Sequence, residues 1–146
     1  MVEGIYEQVQ EQYEDFESRG LKPPQSLILF DDCSFDPDFK KSKVVKRCYQ
    51  NGRHILLSTI VTAQIYTNIS TAARENSKAV ILFDSSDRQI ERMAFDHSTL
   101  PLRDFKQMFR ETTKKKHSFL CVNYSNDNDK RFLNSEFEPI DTDMYR

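Results

Sequence analysis

The sequence predicts an α/β fold with three layers and a mainly parallel β-sheet, and three observations lead to this prediction. Short apolar runs at residues 27–30 and 79–83 have the length and composition of buried strands. A third segment, residues 55–63, is rich in the β-branched residues that strands prefer. Amphipathic stretches separate these segments, and an alternation of strand and helix is the order that produces parallel sheets covered by helices.

The chain begins with a predicted helix and strand. Apolar residues at helical spacing predict an amphipathic helix over residues 5–19, and Gly20 is a natural helix stop. The strand follows over residues 26–31, and its four consecutive large apolar residues predict burial on both faces. The apolar positions of the helix are Ile5, Val9, Tyr13 and Phe16.

A second helix is predicted over residues 36–50, followed by the second strand over residues 55–63. Asp36 is a favourable N-cap and Pro37 fits the first helical position. The remaining predicted elements are a short helix near residues 70–76, a third strand at 79–83, helices at 87–95 and 101–115, and a fourth strand at 118–124.

The region after the fourth strand has scattered aromatic residues and no clear period. We therefore expect one domain over residues 1–124 and a C-terminal tail over residues 125–146.

Composition limits the classes of function. The formal net charge is −2, so binding to nucleic acid would need a local basic patch. The three cysteines are far apart and form no Cys-x-x-Cys pair, which argues against zinc and thioredoxin-like sites and favours a reducing, intracellular compartment. No apolar run approaches the roughly 20 residues of a membrane-spanning helix, so we expect no membrane association.

Polar residues end three of the predicted strands. Asp31 and Asp32 end the first, Gln64 the second and Asp84 the third, and the carboxyl ends of parallel strands share one edge of a sheet. Because successive side chains alternate, one acid of the adjacent pair can hold a hydrated Mg²⁺ while the other faces an attacking water. Both assignments have a purely structural alternative. The two acids could form a turn or cap a helix, and Gln64 could make an ordinary hydrogen bond at the end of its strand.

The order and spacing of these segments resemble the second half of the FtsK–HerA class of P-loop ATPases. The similarity is greatest to the poxvirus-type genome-packaging ATPases of large DNA viruses, and it covers residues 25–97. The segments that carry it are Leu27-Ile28-Leu29-Phe30-Asp31-Asp32, Asn51-Gly52-Arg53-His54, Ser58-Thr59-Ile60-Val61-Thr62-Ala63-Gln64, and Ile69-Ser70-Thr71-Ala72-Ala73-Arg74-Glu75-Asn76 followed by Ala79-Val80-Ile81-Leu82-Phe83.

The resemblance implies a partial RecA-like P-loop core that uses Mg²⁺ and ATP. It identifies Asp31 as the Walker B acid that coordinates Mg²⁺, and Asp32 as the acid that polarises the attacking water. Gln64 becomes the sensor of the γ-phosphate. Arg74 becomes a candidate arginine finger that reaches a nucleotide on a neighbouring subunit. Arg53 and Arg47 are alternative candidates for this role.

The chain departs from this family at the phosphate-binding loop. No Gly-x-x-x-x-Gly-Lys-Ser/Thr motif occurs, and none of the three glycines precedes a lysine. We therefore expect the chain alone to bind ATP poorly and to correspond to the C-terminal half of such an ATPase. The implied partners are an N-terminal half, neighbours in a homo-oligomeric ring, viral double-stranded DNA and capsid components. The implied location is the host cytoplasm, a viral factory or the virion.

Two other functions fit parts of the sequence. Asp31, Asp32, Asp84 and Asp87 could form a two-Mg²⁺ cluster for nuclease or phosphate-transfer chemistry, which needs no phosphate loop. Alternatively, a decayed ATPase fold could serve only as an interaction module. The basic run Lys114-Lys115-Lys116-His117 is explained by a helix C-terminus, where cations are favourable, or by contact with DNA.

Overall fold

The computed structural model describes residues 2–146, and the side chains from Gly4 onward. It divides the chain into two compact units, Met1–Asn76 and Ser77–Arg146, and each is described here by itself. The coarser prediction of an α/β fold with a parallel sheet is confirmed, because helices and strands alternate and the first two strands run parallel.

The first unit contains four α-helices and one pair of strands among its described residues. The helices are α1 (Val2–Ser18), α2 (Pro37–Lys41), α3 (Lys43–Asn51) and α4 (Thr71–Asn76), and the strands are β1 (Ser26–Phe30) and β2 (Leu57–Val61). Short 3₁₀ turns at Cys33–Phe35, Gly52–Ile55 and Tyr66–Asn68 connect them.

The predicted helix over residues 36–50 is two helices, and this is a correction. Asp36 caps α2 as expected, since its carboxylate accepts a hydrogen bond from the Asp38 N–H at 2.8 Å and Pro37 follows it. Ser42 then leaves the helical conformation and caps α3 through its hydroxyl, which accepts from the Val45 N–H at 3.3 Å. This second cap lies inside a helical pattern and was not predicted.

The ends of two helices depend on glycine. Gly20 has a φ of 67°, and the Leu21 N–H after it donates to the Phe16 carbonyl at 2.9 Å, so α1 ends in the left-handed conformation that glycine favours. At Gly52 an added Cβ would lie 2.9 Å from the Leu57 carbonyl oxygen. The close return of the chain from α3 into β2 therefore requires a residue without a side chain.

Strands β1 and β2 pair in parallel, with Leu27 beside Ser58 and Leu29 beside Ile60. One face of the pair packs on the core of the first unit. That core consists of Tyr6, Phe30, Phe39, Val44, Val45, Cys48, Ile55 and Leu57, with Val9, Tyr13 and Ile28 partly buried against it.

The opposite face of the pair is open to solvent. Leu27, Leu29 and Ile60 are 61%, 56% and 49% exposed. The prediction that β1 is buried on both faces is therefore wrong for the described residues. A run of apolar residues cannot show by itself whether both covering layers are present. We call these three side chains the open face.

The second unit contains α5 (Asp87–His97), α6 (Leu102–Thr112) and three strands among its described residues: β3 (Ala79–Phe83), β4 (Phe119–Asn123) and β5 (Phe132–Leu133). Both β3 with β4 and β4 with β5 pair antiparallel. The expectation of a mainly parallel sheet is therefore correct for β1 and β2 and wrong for β3 and β4. Two consecutive helices between β3 and β4 bring the chain back in the opposite direction.

The core of the second unit lies between its helices and β4. Its fully buried side chains are Ile90, Phe105, Met108, Phe109, Leu120 and Val122. Residues 125–146, expected to be a tail, contribute to this unit through β5, whose Phe132 and Leu133 are both buried. The Phe132 ring lies 6.1 Å from that of Phe105, centroid to centroid.

Within residues 2–146, no helix has the length and apolar character that crossing a membrane requires.

The two faces of β1 should respond differently to truncation. Phe30 is buried and its ring meets that of Phe39 edge-on at 5.3 Å, so Phe30→Ala should lower the free energy of unfolding by about 3–5 kcal/mol. Leu29→Ala, on the open face, should cost less than about 1 kcal/mol. Urea unfolding followed by circular dichroism measures both, and equal losses would mean that Leu29 is also buried.

Candidate functional site

The carboxyl ends of β1 and β2 bring together four polar residues. Asp31 and Asp32 follow β1, and Thr62 and Gln64 follow β2. The two strands run parallel, so they end at the same edge, and the Thr62 N–H donates to the Phe30 carbonyl at 3.0 Å just beyond the strands. Parallel pairing thus places residues that are about 30 positions apart in the chain within hydrogen-bonding distance.

Thr62 connects both acids. Its hydroxyl donates to Oδ1 of Asp31 at 2.6 Å and accepts from the backbone N–H of Asp32 at 3.0 Å. From the sequence, Thr62 is only one residue of the predicted strand segment and has no assigned role. Its position two residues before Gln64 was the available signal, since side chains at i and i+2 of an extended chain share a face.

Gln64 contacts the second acid. Its Nε2 amide lies 3.3 and 3.4 Å from the two carboxylate oxygens of Asp32 and donates to them. The structure therefore brings three of the four predicted site residues, Asp31, Asp32 and Gln64, to one edge of the first unit. All three side chains are exposed to solvent.

Asp32 does not act as a helix cap, which was the structural alternative for this acid. Asp32 precedes the 3₁₀ turn Cys33–Phe35, but its side chain makes no capping hydrogen bond there. Its backbone has a φ of 52° and a ψ of 25°, the left-handed region that aspartate tolerates better than most residues. Asp36 is the acid that caps a helix.

The site offers oxygen ligands of the kind that Mg²⁺ prefers. Thr62 occupies Oδ1 of Asp31, and no residue in the described part of the chain hydrogen-bonds its Oδ2. A single protein carboxylate with water and phosphate oxygens is a common coordination for Mg²⁺, so Asp31 fits the role of ligand. No group of three or more histidine, cysteine or acidic residues suited to a metal occurs within residues 2–146.

Arg74, the predicted finger, is packed inside the first unit. It is 7% exposed, and its guanidinium donates to the Ile69 carbonyl at 2.8 Å and lies 5.1 Å from the centre of the Tyr66 ring. Of its two rivals, Arg53 is exposed, and Arg47 lies over the ring of Tyr6 at 4.4 Å.

Lys40 connects two segments of the first unit. Its ammonium donates to the Thr67 carbonyl at 2.7 Å and so ties α2 to the segment that follows Gln64. Two acids of the alternative two-Mg²⁺ cluster, Asp84 and Asp87, belong to the second unit. There the Asp84 carboxylate accepts from the Ser85 N–H at 3.0 Å, and Asp87 forms an ion pair with Arg110.

The basic run follows α6, and Lys114, Lys115, Lys116 and His117 are all exposed. Two of the three cysteines are poor candidates for a nucleophile, because burial raises the pKa of the Cys48 and Cys121 thiols and disfavours their reactive thiolate form.

A family model described as "Poxvirus A32 protein" matches residues 4–136 of the chain. Among curated proteins, "Uncharacterized protein 075L" of Invertebrate iridescent virus 6 is 37% identical over 60 residues, which are 41% of this chain and 23% of that protein. "Uncharacterized protein 088R" of Invertebrate iridescent virus 3 is 23% identical over 133 residues, which are 86% of this chain and 51% of that protein.

Among solved structures, the DNA-packaging ATPase B204 of Sulfolobus Turreted Icosahedral Virus shares the fold with a TM-score of 0.55 and 14% sequence identity. The match covers 71% of this chain and 49% of B204. The chain thus spans about half the length, or less, of the relatives it matches.

The packing of Arg74 gives a prediction about stability. Arg74→Ala removes a buried cation and its hydrogen bond to Ile69, so the free energy of unfolding should fall by about 1–3 kcal/mol. Arg53→Ala, a matched change at an exposed arginine, should change it by less than about 0.5 kcal/mol. Urea unfolding distinguishes the two, and an unchanged Arg74→Ala protein would show that this side chain does not hold the segment around Ile69.

Proposed function

The chain belongs to the poxvirus A32 protein family, and from that premise we propose that it is part of an ATP-driven motor that packages viral double-stranded DNA into a capsid. Specifically, we propose that it supplies the Walker B and sensor half of an FtsK–HerA-type P-loop ATPase. The observation that carries the proposal is the meeting of Asp31, Asp32 and Gln64 at one edge of a parallel strand pair.

Each of these residues has a distinct role in the proposed reaction. Asp31 would hold the metal through its carboxylate, one oxygen of which Thr62 fixes. Asp32 would orient the attacking water and accept its proton, and Gln64 would donate from its amide to a phosphate oxygen or to that water. Mg²⁺, when bound, supplies positive charge that offsets the charge of the phosphates.

The chain's own residues do not complete a site for ATP. A P-loop holds the phosphates with backbone N–H groups and a lysine, and this sequence has no such motif. We therefore propose that another polypeptide segment supplies the phosphate loop. Residues 1–124 would then correspond to the later strands of a three-layer, RecA-like core.

The open face supports this arrangement. Leu27, Leu29 and Ile60 expose apolar surface on the sheet side opposite the core, where a third layer would pack. In the second unit, Ile81 and Phe83 of β3 are likewise 49% and 56% exposed. About half of B204 and of protein 088R lies outside the region that matches this chain, and we propose that this additional length includes such a layer.

A ring of subunits would supply the remaining catalytic group. We propose Arg74 as the arginine that stabilises charge developing on a neighbour's nucleotide, with Arg53 and Arg47 as rivals. Arg74 would have to release Ile69 and Tyr66 to reach across, which costs the contacts described above. Arg53 needs no such release because it is already exposed.

The exposed run Lys114–His117 is the proposed contact with DNA phosphates, and capsid components are proposed partners of the assembled motor. Such a motor would act in the host cytoplasm or a viral factory and could remain with the virion.

One observation favours a second candidate function. The open face is also what a non-catalytic interaction module would use to bind a partner. Under this alternative the acids and Gln64 would have no part in turnover. The two experiments below separate this alternative from the motor.

The missing phosphate loop predicts weak nucleotide binding by the chain alone. Isothermal titration calorimetry with Mg²⁺-ATP should detect no binding tighter than about 100 µM, because the loop supplies most of the phosphate contacts. The same titration after addition of an N-terminal half that carries a phosphate loop should show tighter binding. Micromolar affinity for the chain alone would contradict the argument.

The role of Asp32 predicts a loss of turnover without a loss of binding. In the protein complemented with a phosphate-loop half, Asp32→Asn should lower the ATPase kcat at least about 100-fold, the contribution typical of a general base. Its affinity for Mg²⁺-ATP should change less than about 3-fold, since Asp31 still holds the metal. Asp129→Asn, at an exposed position in the second unit, is the matched control. Retained turnover in Asp32→Asn would remove this acid from the mechanism, whereas absence of turnover in the complemented native protein would favour the interaction module.

A further inference from the structure

We propose that Thr62 is the positioning residue of this site, through which the metal-holding acid and the water-orienting acid are kept in one fixed geometry. The inference rests on the proposed function, because it assigns Thr62 a role toward the same two acids. It goes beyond that function by identifying the group that couples them.

The proton positions at Thr62 follow from the chemistry of its partners. An ionised carboxylate can only accept and a backbone N–H can only donate, so the threonine hydroxyl must donate to Asp31 and accept from Asp32. At 2.6 Å, the bond to Asp31 has the length of a charge-assisted O–H···O⁻ hydrogen bond, the stronger class. The single hydroxyl oxygen of Thr62 thus makes one hydrogen bond to each acid, as donor to Asp31 and as acceptor from Asp32.

These two links have different consequences. The bond to Asp31 engages Oδ1 and leaves Oδ2 as the carboxylate oxygen available to a metal. The bond to the Asp32 N–H stabilises a left-handed backbone, and the Asp32 carboxylate then lies against the Gln64 amide. Thr62 therefore determines which oxygen of the first acid is presented and where the second acid points.

Thr62 is itself held by a backbone hydrogen bond at the end of the strand pair. Its N–H donates to the Phe30 carbonyl, which extends the pairing of β1 and β2 by one step. Its side chain is exposed, so replacing the hydroxyl leaves no cavity in the core. These two features allow the hydroxyl to be removed without disturbing the fold, which makes the inference testable.

The test compares Thr62→Val, which keeps the shape and removes the hydroxyl, with Thr62→Ser, which keeps the hydroxyl. Thr67→Val, at another exposed threonine in the first unit, is the matched control. The first measurement is amide hydrogen exchange by NMR on the full chain. The Asp32 N–H should exchange several-fold faster in Thr62→Val than in the native chain, and at the native rate in Thr62→Ser and Thr67→Val.

The second measurement is binding of Mn²⁺ alone, detected as paramagnetic broadening of the Asp31 and Asp32 amide signals. Loss of a group that orients a metal ligand typically weakens metal binding about 10–100-fold, so the Thr62→Val chain should need at least about tenfold more Mn²⁺ for half-maximal broadening. Thr62→Ser should stay within about twofold of the native chain.

The outcomes separate this inference from the proposed function. Equal Mn²⁺ affinity in the native and Thr62→Val chains would overturn the positioning role, even with faster Asp32 exchange, because Thr62 would then support the backbone only. A failure of Thr62→Ser to restore Mn²⁺ affinity would also overturn it. If Mn²⁺ leaves the Asp31 and Asp32 signals of the native chain unbroadened, the metal role of Asp31 in the proposed function fails, and the positioning role fails with it.

Discussion

The parallel pairing of β1 with β2 is the constraint on which the rest of the first unit depends. Hydrogen bonds along the pair fix the register of Phe30 against Val61, and that register determines which residues leave the two strands side by side. A shift of one residue would turn Thr62 and Gln64 to the opposite face and separate them from the acids. The core beneath the pair, with Phe30 against Phe39, is what keeps the register unique.

The residues of the site lie close together in space but come from two segments about 30 positions apart in the chain, and this limits what the sequence can reveal. Asp31, Asp32 and Gln64 could be singled out because polar residues at the ends of apolar strands are conspicuous. Thr62 is harder to single out, because threonine is common in strands and its spacing from Gln64 indicates only a shared face. Its role arises from the position of its hydroxyl between the Asp31 carboxylate and the Asp32 N–H. The burial of Arg74 was equally inaccessible, since an arginine near a helix end is usually exposed.

The elements themselves were predictable where local chemistry decides them. The Asp36 cap, the Gly20 stop and strands β1 and β3 follow from residue types and their spacing. The antiparallel direction of β4 and the formation of β5 depend on which strands pair with each other. Such pairing is decided by tertiary contacts, for which the local sequence carries no signal. The break at Ser42 lies between these cases, because a serine inside a helical pattern is compatible with both a cap and an uninterrupted helix.

The open face has a practical consequence for handling the protein. Three large aliphatic side chains on one flat surface, in a chain of formal net charge −2, give little electrostatic repulsion to oppose self-association. Sulfate and other strongly hydrated salts strengthen the burial of apolar surface, so they should drive the isolated chain to associate. Dilute protein in a low-salt buffer at a pH well away from the isoelectric point of about 5.9 is therefore the condition under which its monomer should be sought.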